Sequence, residues 1–314
     1  MNSKKRSGSF IREMKTNGIL YAMTIPGFVV LIMFSYVPFS GIIMAFNDFN
    51  PVDGIWGSPF VGLRNFEFFF SDFFNPRNMA WIATRNTLII NFWTITLGLI
   101  IPPAIAICIY EIAGKVFKRV TQAIMFFPYF LSWIVVGAIA YALFSTEVGV
   151  FNVVLRALGY DNVRWFAEPQ YWQPILIFSN VWRWSGYTSI LYLAAITQMD
   201  RNMFEAAEID GANRIQQIFR LTIPMLKPTM VVLSLLAIGR IFYGDFGMVW
   251  GIVRGNPMLR ETTTIIDTYV FQSMQILGFS FTTAIGLYQA VMGLVLLLIA
   301  NKVAKKINEG EGLF

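Results

Sequence analysis

The chain has 314 residues, of which 56% are hydrophobic and 13% are charged, and its formal net charge is +6. Soluble globular chains carry about 25% charged residues, so this composition excludes a disordered protein, a fibrous protein and an ordinary soluble enzyme. One cysteine (Cys108) and no histidine also exclude an internal disulfide, a Cys/His zinc site, a His-based triad and a haem ligand pair. No catalytic residue and no metal site is predicted.

Long apolar runs predict a membrane protein. Four runs without any Asp, Glu, Lys or Arg exceed the roughly 18–20 residues that a helix needs to cross the hydrocarbon layer, and two more are interrupted by one or two charges. They predict an all-α fold with six transmembrane helices in a single domain, residues 1–314, whose first helix is not a cleaved signal. The predicted spans are residues 19–46, 86–110, 120–146, 175–199, 229–253 and 279–301.

Between the first two spans lies an aromatic run, residues 66–74, that is too short to cross a membrane and too apolar for water. This composition favours an interfacial helix on the outer leaflet. The alternative is a docking surface for an external partner.

The basic residues predict the orientation. Every lysine lies in the N-terminal head, the second or fourth loop, or the C-terminal tail, so the positive-inside rule places both termini in the cytoplasm and the protein in the cell membrane. This distribution also explains the pI of about 9.4 without a nucleic-acid partner. The head contributes Lys4, Lys5, Arg6, Arg12 and Lys15.

Two spans carry charged and aromatic residues in their interior, where charges are costly. A sugar site needs ring faces and a few orienting polar groups, so these residues are candidates for a substrate path. The alternative is that Arg183 or Arg240 pairs with Asp245 or with a partner chain and only ties helices together. The candidates are Asn180, Trp182, Arg183, Trp184, Tyr187, Arg240, Tyr243 and Asp245.

Glycines recur near the end of the fifth predicted span, at spacings of three and four. Small residues at this spacing either let two helices approach closely or mark a broken helix that lines a path. The sequence leaves both open for Gly244, Gly247, Gly251 and Gly255.

The segment 200–228, a predicted cytoplasmic loop, is interpreted as two short helices and a hinge. Asn202 with Glu205 fits an N-cap and its capping-box partner, and Gly211 marks a bend or a C-cap. Pro224 and Pro228 are expected to end the second helix. Its predicted apolar stripe consists of Ile215, Ile218, Phe219, Thr222 and Ile223.

A stable, half-apolar helix pair in the cytoplasm favours a docking element for a partner. The alternative is a solvated connector.

This segment resembles the EAA loop of ABC importer permease subunits. The matching residues are Glu205, Ala206, Ala207, Asp210, Gly211, Ala212, Phe219, Ile223, Pro224 and Pro228. Other segments are similar to carbohydrate-uptake permeases, within them the polysaccharide and aldouronate-type group. They are residues 36–38, 45–49, 61–66, 85–88 and 266–270, and the resemblance covers about residues 18–305.

The resemblance implies a type I importer core. This chain is then expected to pair with a second, homologous permease and with two ATPase subunits, while an extracellular lipid-anchored protein delivers an oligosaccharide. It also implies that Glu205 forms an ion pair with the ATPase and that Gly211 sets the angle between the two coupling helices. Because the chain contains no P-loop sequence, it binds no cofactor itself, and ATP and Mg belong to the partner ATPase.

Two rival functions agree less well with the sequence. An ion-coupled secondary transporter works alone and often shows inverted repeats and buried acids, whereas this sequence has no visible repeat and one acid deep in a span, Asp245. A membrane-embedded enzyme lacks a catalytic constellation. The two interior arginines outnumber that acid, and this surplus favours a uronate-containing oligosaccharide as cargo.

Overall fold

We describe the protein from a computed structural model, whose described residues are 13 and 16–307, without the side chain of Phe68. The basic head residues Lys4, Lys5, Arg6, Arg12 and Lys15 lie outside this part of the chain. In it we number the α-helices α1 (Gly18–Leu31), α2 (Val37–Phe39), α3 (Gly54–Gly57), α4 (Arg64–Phe70), α5 (Met79–Glu111), α6 (Lys115–Phe126), α7 (Trp133–Phe144), α8 (Val150–Ala157), α9 (Trp172–Thr197), α10 (Arg201–Ile209), α11 (Arg214–Gln217), α12 (Ile223–Ile238), α13 (Phe246–Val253), α14 (Arg260–Thr263) and α15 (Ile266–Ile307).

The predicted all-α membrane fold is confirmed. Four helical stretches are long and apolar enough to cross a membrane, and a bent helix pair would make a fifth, while the described residues form no strand. The stretches are Gly18–Phe46, Met79–Glu111, Arg214–Ile238 and Ile266–Lys306, and the bent pair is Lys115–Phe130 with Trp133–Phe144. α9, which covers most of the predicted span 175–199, has 26 residues, or about 39 Å at 1.5 Å per residue.

The chain divides into two compact units. Among the described residues, the first comprises 13, 16–68 and 277–284. Within it, the side-chain amide of Asn65 donates to the carbonyl oxygens of Ala45 and Asn47, and the N–H of Phe49 donates to Ser280 Oγ at 2.8 Å. These bonds fix the chain where it leaves the helical stretch Gly18–Phe46, which buries almost none of its surface in this chain.

The second unit comprises, of the described residues, 69–276 and 285–307. The long helices α5 and α9 pack along each other, and α7 packs on α13. Their shared apolar core includes the fully buried side chains of Trp172, Leu176 and Leu259. This frame positions the polar residues in the middle of α9.

The predicted span 120–146 is not one straight helix. The axis turns by 98° between Lys115–Phe130 and Trp133–Phe144. Phe127–Phe130 forms a 3₁₀ turn that contains Pro128, which has no N–H to donate to a regular helix. The hydroxyl of Ser132 then caps α7 by accepting the N–H of Val135.

The predicted span 229–253 is also interrupted. α12 ends at Ile238 and α13 begins at Phe246, so residues 239–245 are not helical. At its other end the helix starts earlier than expected, because Arg214–Ile238 is continuous. Pro224 and Pro228 therefore do not end the second helix. Pro224 lies in the first turn of α12, directly after a π-helical turn over Ile218–Thr222, where a missing N–H is tolerated.

The helix α15 reverses direction at Gly278, whose φ of 77° and ψ of −174° are not helical. Asp267 and Gln289 lie 3.5 Å apart at their side-chain oxygen and nitrogen. Twenty-two residues of straight helix would separate them by about 33 Å. The predicted span 279–301 lies in the second arm, and residues 266–277 form a shorter arm that the sequence did not indicate.

The aromatic run 66–74 does not simply lie on the membrane surface. Phe69 is buried, with ring centroids 5.6 Å from Phe73 and 5.3 Å from Tyr288, whereas Phe70 and Phe74 are exposed. Because the ring of Phe69 points inward, part of the apolar surface of this run packs on the protein, whereas the interfacial interpretation assigned it to lipid.

Candidate functional site

The middle of α9 presents four predicted candidates on one side of the helix. Asn180, Arg183, Trp184 and Tyr187 are spaced three, one and three residues apart, which places them on one face. Trp182 does not belong to this face. It lines a separate apolar cavity of about 630 Å³ together with residues of α5. The structure therefore brings four of the five α9 candidates together.

Arg183 reaches from α9 to the bend between α6 and α7. Its Nε donates to the carbonyl oxygen of Leu131 at 2.9 Å. Its guanidinium lies 4.5 Å from the ring centroid of Trp133 and 5.3 Å from that of Trp184. The bend frees a backbone carbonyl inside the membrane, and the arginine satisfies it. Nη1 and Nη2 make no hydrogen bond with any described residue.

Partly exposed aromatic rings surround this arginine. Tyr129 and Tyr187 are stacked with centroids 4.5 Å apart, and Trp184 meets Tyr129 edge to face at 5.3 Å. Trp184 and Tyr187 each keep more than a third of their surface exposed. Flat exposed rings beside a cation suit a sugar that carries a negative charge, since rings pack on the apolar face of a sugar and guanidinium binds carboxylate.

Asp245 is engaged by the protein through both carboxylate oxygens. Oδ2 accepts the indole N–H of Trp133 at 2.9 Å, and Oδ1 accepts the backbone N–H of Met248 at 2.9 Å, which caps α13. The expected alternative that Asp245 pairs with Arg183 or Arg240 is wrong for this chain, because neither arginine forms an ion pair with a described residue. Arg183 does tie helices, but through the Leu131 carbonyl.

The interruption at residues 239–245 is stabilised by side chains of α5 and α15. The amide of Asn91 donates to the carbonyls of Ile241 and Tyr243, at 2.7 and 2.9 Å. Gln289 donates to the carbonyl of Phe242. Each bond pairs a backbone group that a continuous helix would have paired itself.

A freed N–H group of the same interruption is also paired: the N–H of Gly244 donates to the carboxylate of Asp267. Sequence reasoning missed Asn91, Asp267 and Gln289, although polar residues in apolar runs were the signal that could have found them. The side chains of Arg240 and Tyr243 are exposed and make no contact with Arg183 among the described residues.

The glycine-rich segment contains both a close helix contact and a break in the helix. The chain is broken beside Gly244, and α13 then packs closely on α7. A Cβ on Gly251 would lie 2.8 Å from the carbonyl oxygen of Trp133, and one on Gly137 would lie 2.1 Å from that of Gly251. Neither contact tolerates a larger residue without a shift of backbone, so α7 and α13 form a rigid pair.

A smaller cavity of about 270 Å³, mainly apolar but with a few polar side chains, adjoins Trp184 between α5, α9 and α12. Thr94, Asn180, Thr188 and Ser234 line it. Thr94 Oγ1 is buried and has no hydrogen-bond partner among the described residues. This cavity extends the polar surface of α9 toward α12, and the sequence did not indicate Thr94.

Segment 200–228 follows the C-terminal end of α9. We call it the coupling segment, after the role that its resemblance implies. Its helices are capped differently from the prediction. Asp200, not Asn202, is the N-cap of α10 and accepts the N–H of Asn202. The capping box occurs instead at α11, between Asn213 and Gln216. Both patterns have a polar N-cap followed by Glu or Gln three residues later, so the sequence alone could not separate them.

Gly211 ends α10 and has the predicted hinge geometry. Its φ is +81°, a left-handed conformation that costs other residues about 1–2 kcal/mol. The N–H of Ala212 donates to the carbonyl of Ala207, and that of Gly211 to the carbonyl of Glu208, so the freed carbonyls at the helix end are paired.

The coupling segment exposes large apolar side chains. Ile209 is 87% exposed, Ile215 68% and Phe219 66%. The predicted apolar stripe is divided, because Ile218 and Ile223 pack on a core cluster around Tyr192 and Leu226 while Ile215 and Phe219 face outward. Glu205, Ala206, Asp210 and Pro224 are exposed and Ala207 is partly exposed.

The family of this chain follows from comparison with known proteins. Residues 109–309 match the model of binding-protein-dependent transport system inner membrane components. The chain belongs to this family: it is the membrane permease of an ABC importer, a transport subunit and not an enzyme. The rival interpretation as a secondary transporter is therefore wrong.

Relatives along the whole chain agree with this assignment. The chain is 34% identical to the polygalacturonan/rhamnogalacturonan transport system permease YteP of Bacillus subtilis (strain 168), over 94% of this chain and 90% of that one. It is 32% identical to LplB of the same organism, over 98% and 94%.

A solved structure shows the same fold. A bacterial alginate ABC transporter, crystallised with a periplasmic protein that binds an alginate pentasaccharide, matches with a TM-score of 0.84 at 31% identity, over 96% of this chain and 99% of that one. The predicted type I importer fold is confirmed. Membership in this class implies a second permease, ATPase subunits and a binding protein as partners.

Proposed function

We propose that this chain, a permease subunit of a carbohydrate ABC importer, carries oligosaccharides that contain uronate units. The observation that carries the proposal is the guanidinium of Arg183, which lies among partly exposed aromatic rings in the middle of a predicted span with Nη1 and Nη2 unbonded to the described residues. A planar fork of this kind binds both oxygens of a carboxylate.

The comparisons favour the same cargo. Polygalacturonan, named for one relative, is a polymer of a sugar acid, and alginate, named for the similar solved structure, is an acidic polysaccharide. Asn180 and Tyr187 on α9 add polar groups and a ring face beside Arg183. Arg240 and Tyr243, on the interrupted segment, are proposed to contact the cargo at another point of the path.

The coupling segment is proposed to dock in a surface groove of an ATPase subunit. Exposed Ile209, Ile215 and Phe219 would provide apolar anchors, and Glu205 would pair with a basic residue of the ATPase. Gly211 sets the angle between the coupling helices α10 and α11. ATP and Mg bind to the ATPase, whose movement α12 carries into the membrane because it continues α11 without a break.

The same proposal places both termini in the cytoplasm and the loop 145–171 outside. There the buried amide of Asn152 organises the loop by bonding Thr146, Val163 and Trp165. A lipid-anchored extracellular binding protein is proposed to deliver the cargo to this side.

Uptake by the complete importer in proteoliposomes tests the cargo. Wild type and Arg183→Gln are compared with a uronate oligosaccharide and a neutral one of equal length. Loss of a charge-assisted bond, worth about 1.5–3 kcal/mol, should raise the KM for the uronate roughly tenfold to a hundredfold and leave the neutral sugar unchanged. Arg77→Gln, the same change at an exposed outer arginine, is the control. Preference of wild type for the neutral sugar would refute the proposal.

A further inference from the structure

Asp245 bonds the two interrupted spans to each other and is not available to a substrate. One carboxylate oxygen caps α13 through the N–H of Met248, and the other holds the indole N–H of Trp133, the first residue of α7. A carboxylate with both oxygens bonded inside the protein is poorly placed to bind cargo. Its position beside Trp133 suggests a different role.

Trp133 is in turn the closest ring to Arg183. The centroid of its ring lies 4.5 Å from the guanidinium carbon, whereas those of Trp184 and Tyr129 lie at 5.3 and 6.0 Å. Arg183 Nε is fixed by Leu131, two residues before Trp133. The orientation of the guanidinium therefore depends on Leu131 for one edge and on Trp133 for one face.

The carboxylate also strengthens the contact between the ring and the cation. An indole that donates its N–H to an anion gains negative potential on its face, and a cation over that face is held more tightly. Asp245 thereby compensates the charge of Arg183 through the ring while it leaves the guanidinium nitrogens unpaired. A direct ion pair would have occupied them.

The support under Trp133 is rigid. The carbonyl oxygen of Trp133 abuts Gly251 and its ring abuts Gly247, so α13 leaves no room for the indole to shift. A preorganised cation loses less freedom on binding an anion and discriminates better against a neutral ligand.

We propose that Asp245 and Trp133 are positioning residues that hold the guanidinium of Arg183 ready for the carboxylate of the cargo. This proposal rests on the proposed function, in which Arg183 binds that carboxylate. It predicts that charge selectivity depends on two residues that do not touch the sugar.

The first test measures selectivity, the ratio of Vmax/KM for a uronate oligosaccharide to that for a neutral one of equal length. Trp133→Phe keeps a ring but loses the N–H, and Asp245→Asn keeps an N-capping oxygen but loses the charge. Each should lower selectivity about three- to tenfold, mainly through the KM for the uronate. Combined with Arg183→Gln, neither should lower it further, because the double variants have already lost the cation.

Trp250→Phe is the matched control, since Trp250 lies on α13 and stacks on Phe246 at 5.7 Å, away from Arg183. It should retain the selectivity of wild type. If Arg183→Gln loses selectivity while Trp133→Phe and Asp245→Asn keep it, the positioning role is refuted and the proposed function stands. If Arg183→Gln also keeps it, the proposed function fails.

The second test needs no sugar. The purified importer is treated with phenylglyoxal, which modifies arginine, and the peptide containing Arg183 is quantified by mass spectrometry. Trp133→Leu and Asp245→Asn should speed modification of Arg183 about threefold or more relative to wild type and Trp250→Phe. Equal rates in all four proteins would overturn the positioning role, whatever cargo the importer carries.

Discussion

The interrupted spans and the coupling segment both depart from regular helix. They differ in how the backbone groups at the helix ends are paired and in how much apolar surface stays exposed. In the interrupted spans, side chains from other helices pair the freed backbone groups, as Asn91 does for Ile241 and Tyr243 and Arg183 does for Leu131. In the coupling segment the caps are local, and large apolar side chains such as Ile209 stay exposed.

This contrast distinguishes a region whose backbone groups are paired within the chain from a surface that needs a partner to cover it. Unpaired backbone N–H and carbonyl groups are costly in hydrocarbon, so the chain must pair those of the interrupted spans by itself. Exposed apolar groups in water can await a partner, and a patch of them marks a binding surface. The first region is therefore expected to respond to cargo and the second to the ATPase.

The largest expected effect tests whether the two regions face the sides that we propose. In a Cys108→Ala background, Lys305→Cys should be fully protected from an impermeant thiol reagent in intact cells, and Asp161→Cys should be fully labelled, because lysine-rich segments stay in the cytoplasm. Labelling after cell lysis controls for buried thiols. The reverse labelling pattern would place the coupling segment outside the cell, where it could not dock on an ATPase, and would contradict the roles assigned to the two regions.

A second prediction concerns the hinge between the coupling helices. Gly211→Pro should abolish most transport and weaken ATPase co-purification, since proline fixes φ near −65° and Gly211 needs +81°. Gly159→Pro is the matched control, because Gly159 has a φ of +82° in the outer loop. Insertion is checked by the amount of folded permease in the membrane. Equal transport in both variants would show that the hinge is not used for coupling.

The charge on α10 should have a smaller effect. Glu205→Ala is expected to lower transport and ATPase association about tenfold or more, from the loss of a charged bond worth roughly 1.5–3 kcal/mol. Glu208→Ala removes an equally exposed acid from the same helix and should change either quantity less than threefold. Binding of detergent-solubilised permease to the ATPase subunits measures both. Equal losses of transport and ATPase association in the two variants would mean that only the total negative charge of α10 matters, and would contradict a specific ion pair of Glu205.

The smallest expected effect sharpens the account of the interrupted span. Asn91→Leu removes the bonds to the carbonyls of Ile241 and Tyr243, of which only the first is partly buried and costs about 1 kcal/mol to lose, and should lower the thermal stability of the purified importer by a few degrees. Thr96→Val, a change at a partly exposed residue whose hydroxyl bonds only to a carbonyl of the same helix, should have almost no effect. Unchanged stability in Asn91→Leu would mean that water satisfies these carbonyls.

Much of this protein was predictable from the sequence alone. The apolar runs determine the class, since length and lack of charge suffice for a helix to enter a membrane. The EAA resemblance predicts that segment 200–228 couples to an ATPase, which stays a prediction, whereas the expected bend or cap at Gly211 agrees with its positive φ of +81°. Arg183, Trp184 and Tyr187 were selected because cations and rings are rare inside spans.

Only the tertiary structure decided where the helices are interrupted and what pairs with what. Pro128 marks one bend, but Pro224 and Pro228 lie inside a continuous helix, so proline alone does not predict a break. Trp133 lies 112 residues from Asp245, and the side chains that bond the carbonyls of residues 241–243 lie between 47 and 152 residues away in the chain. Such bonds depend on how α5, α7, α9 and α15 pack together, and no local pattern records that packing.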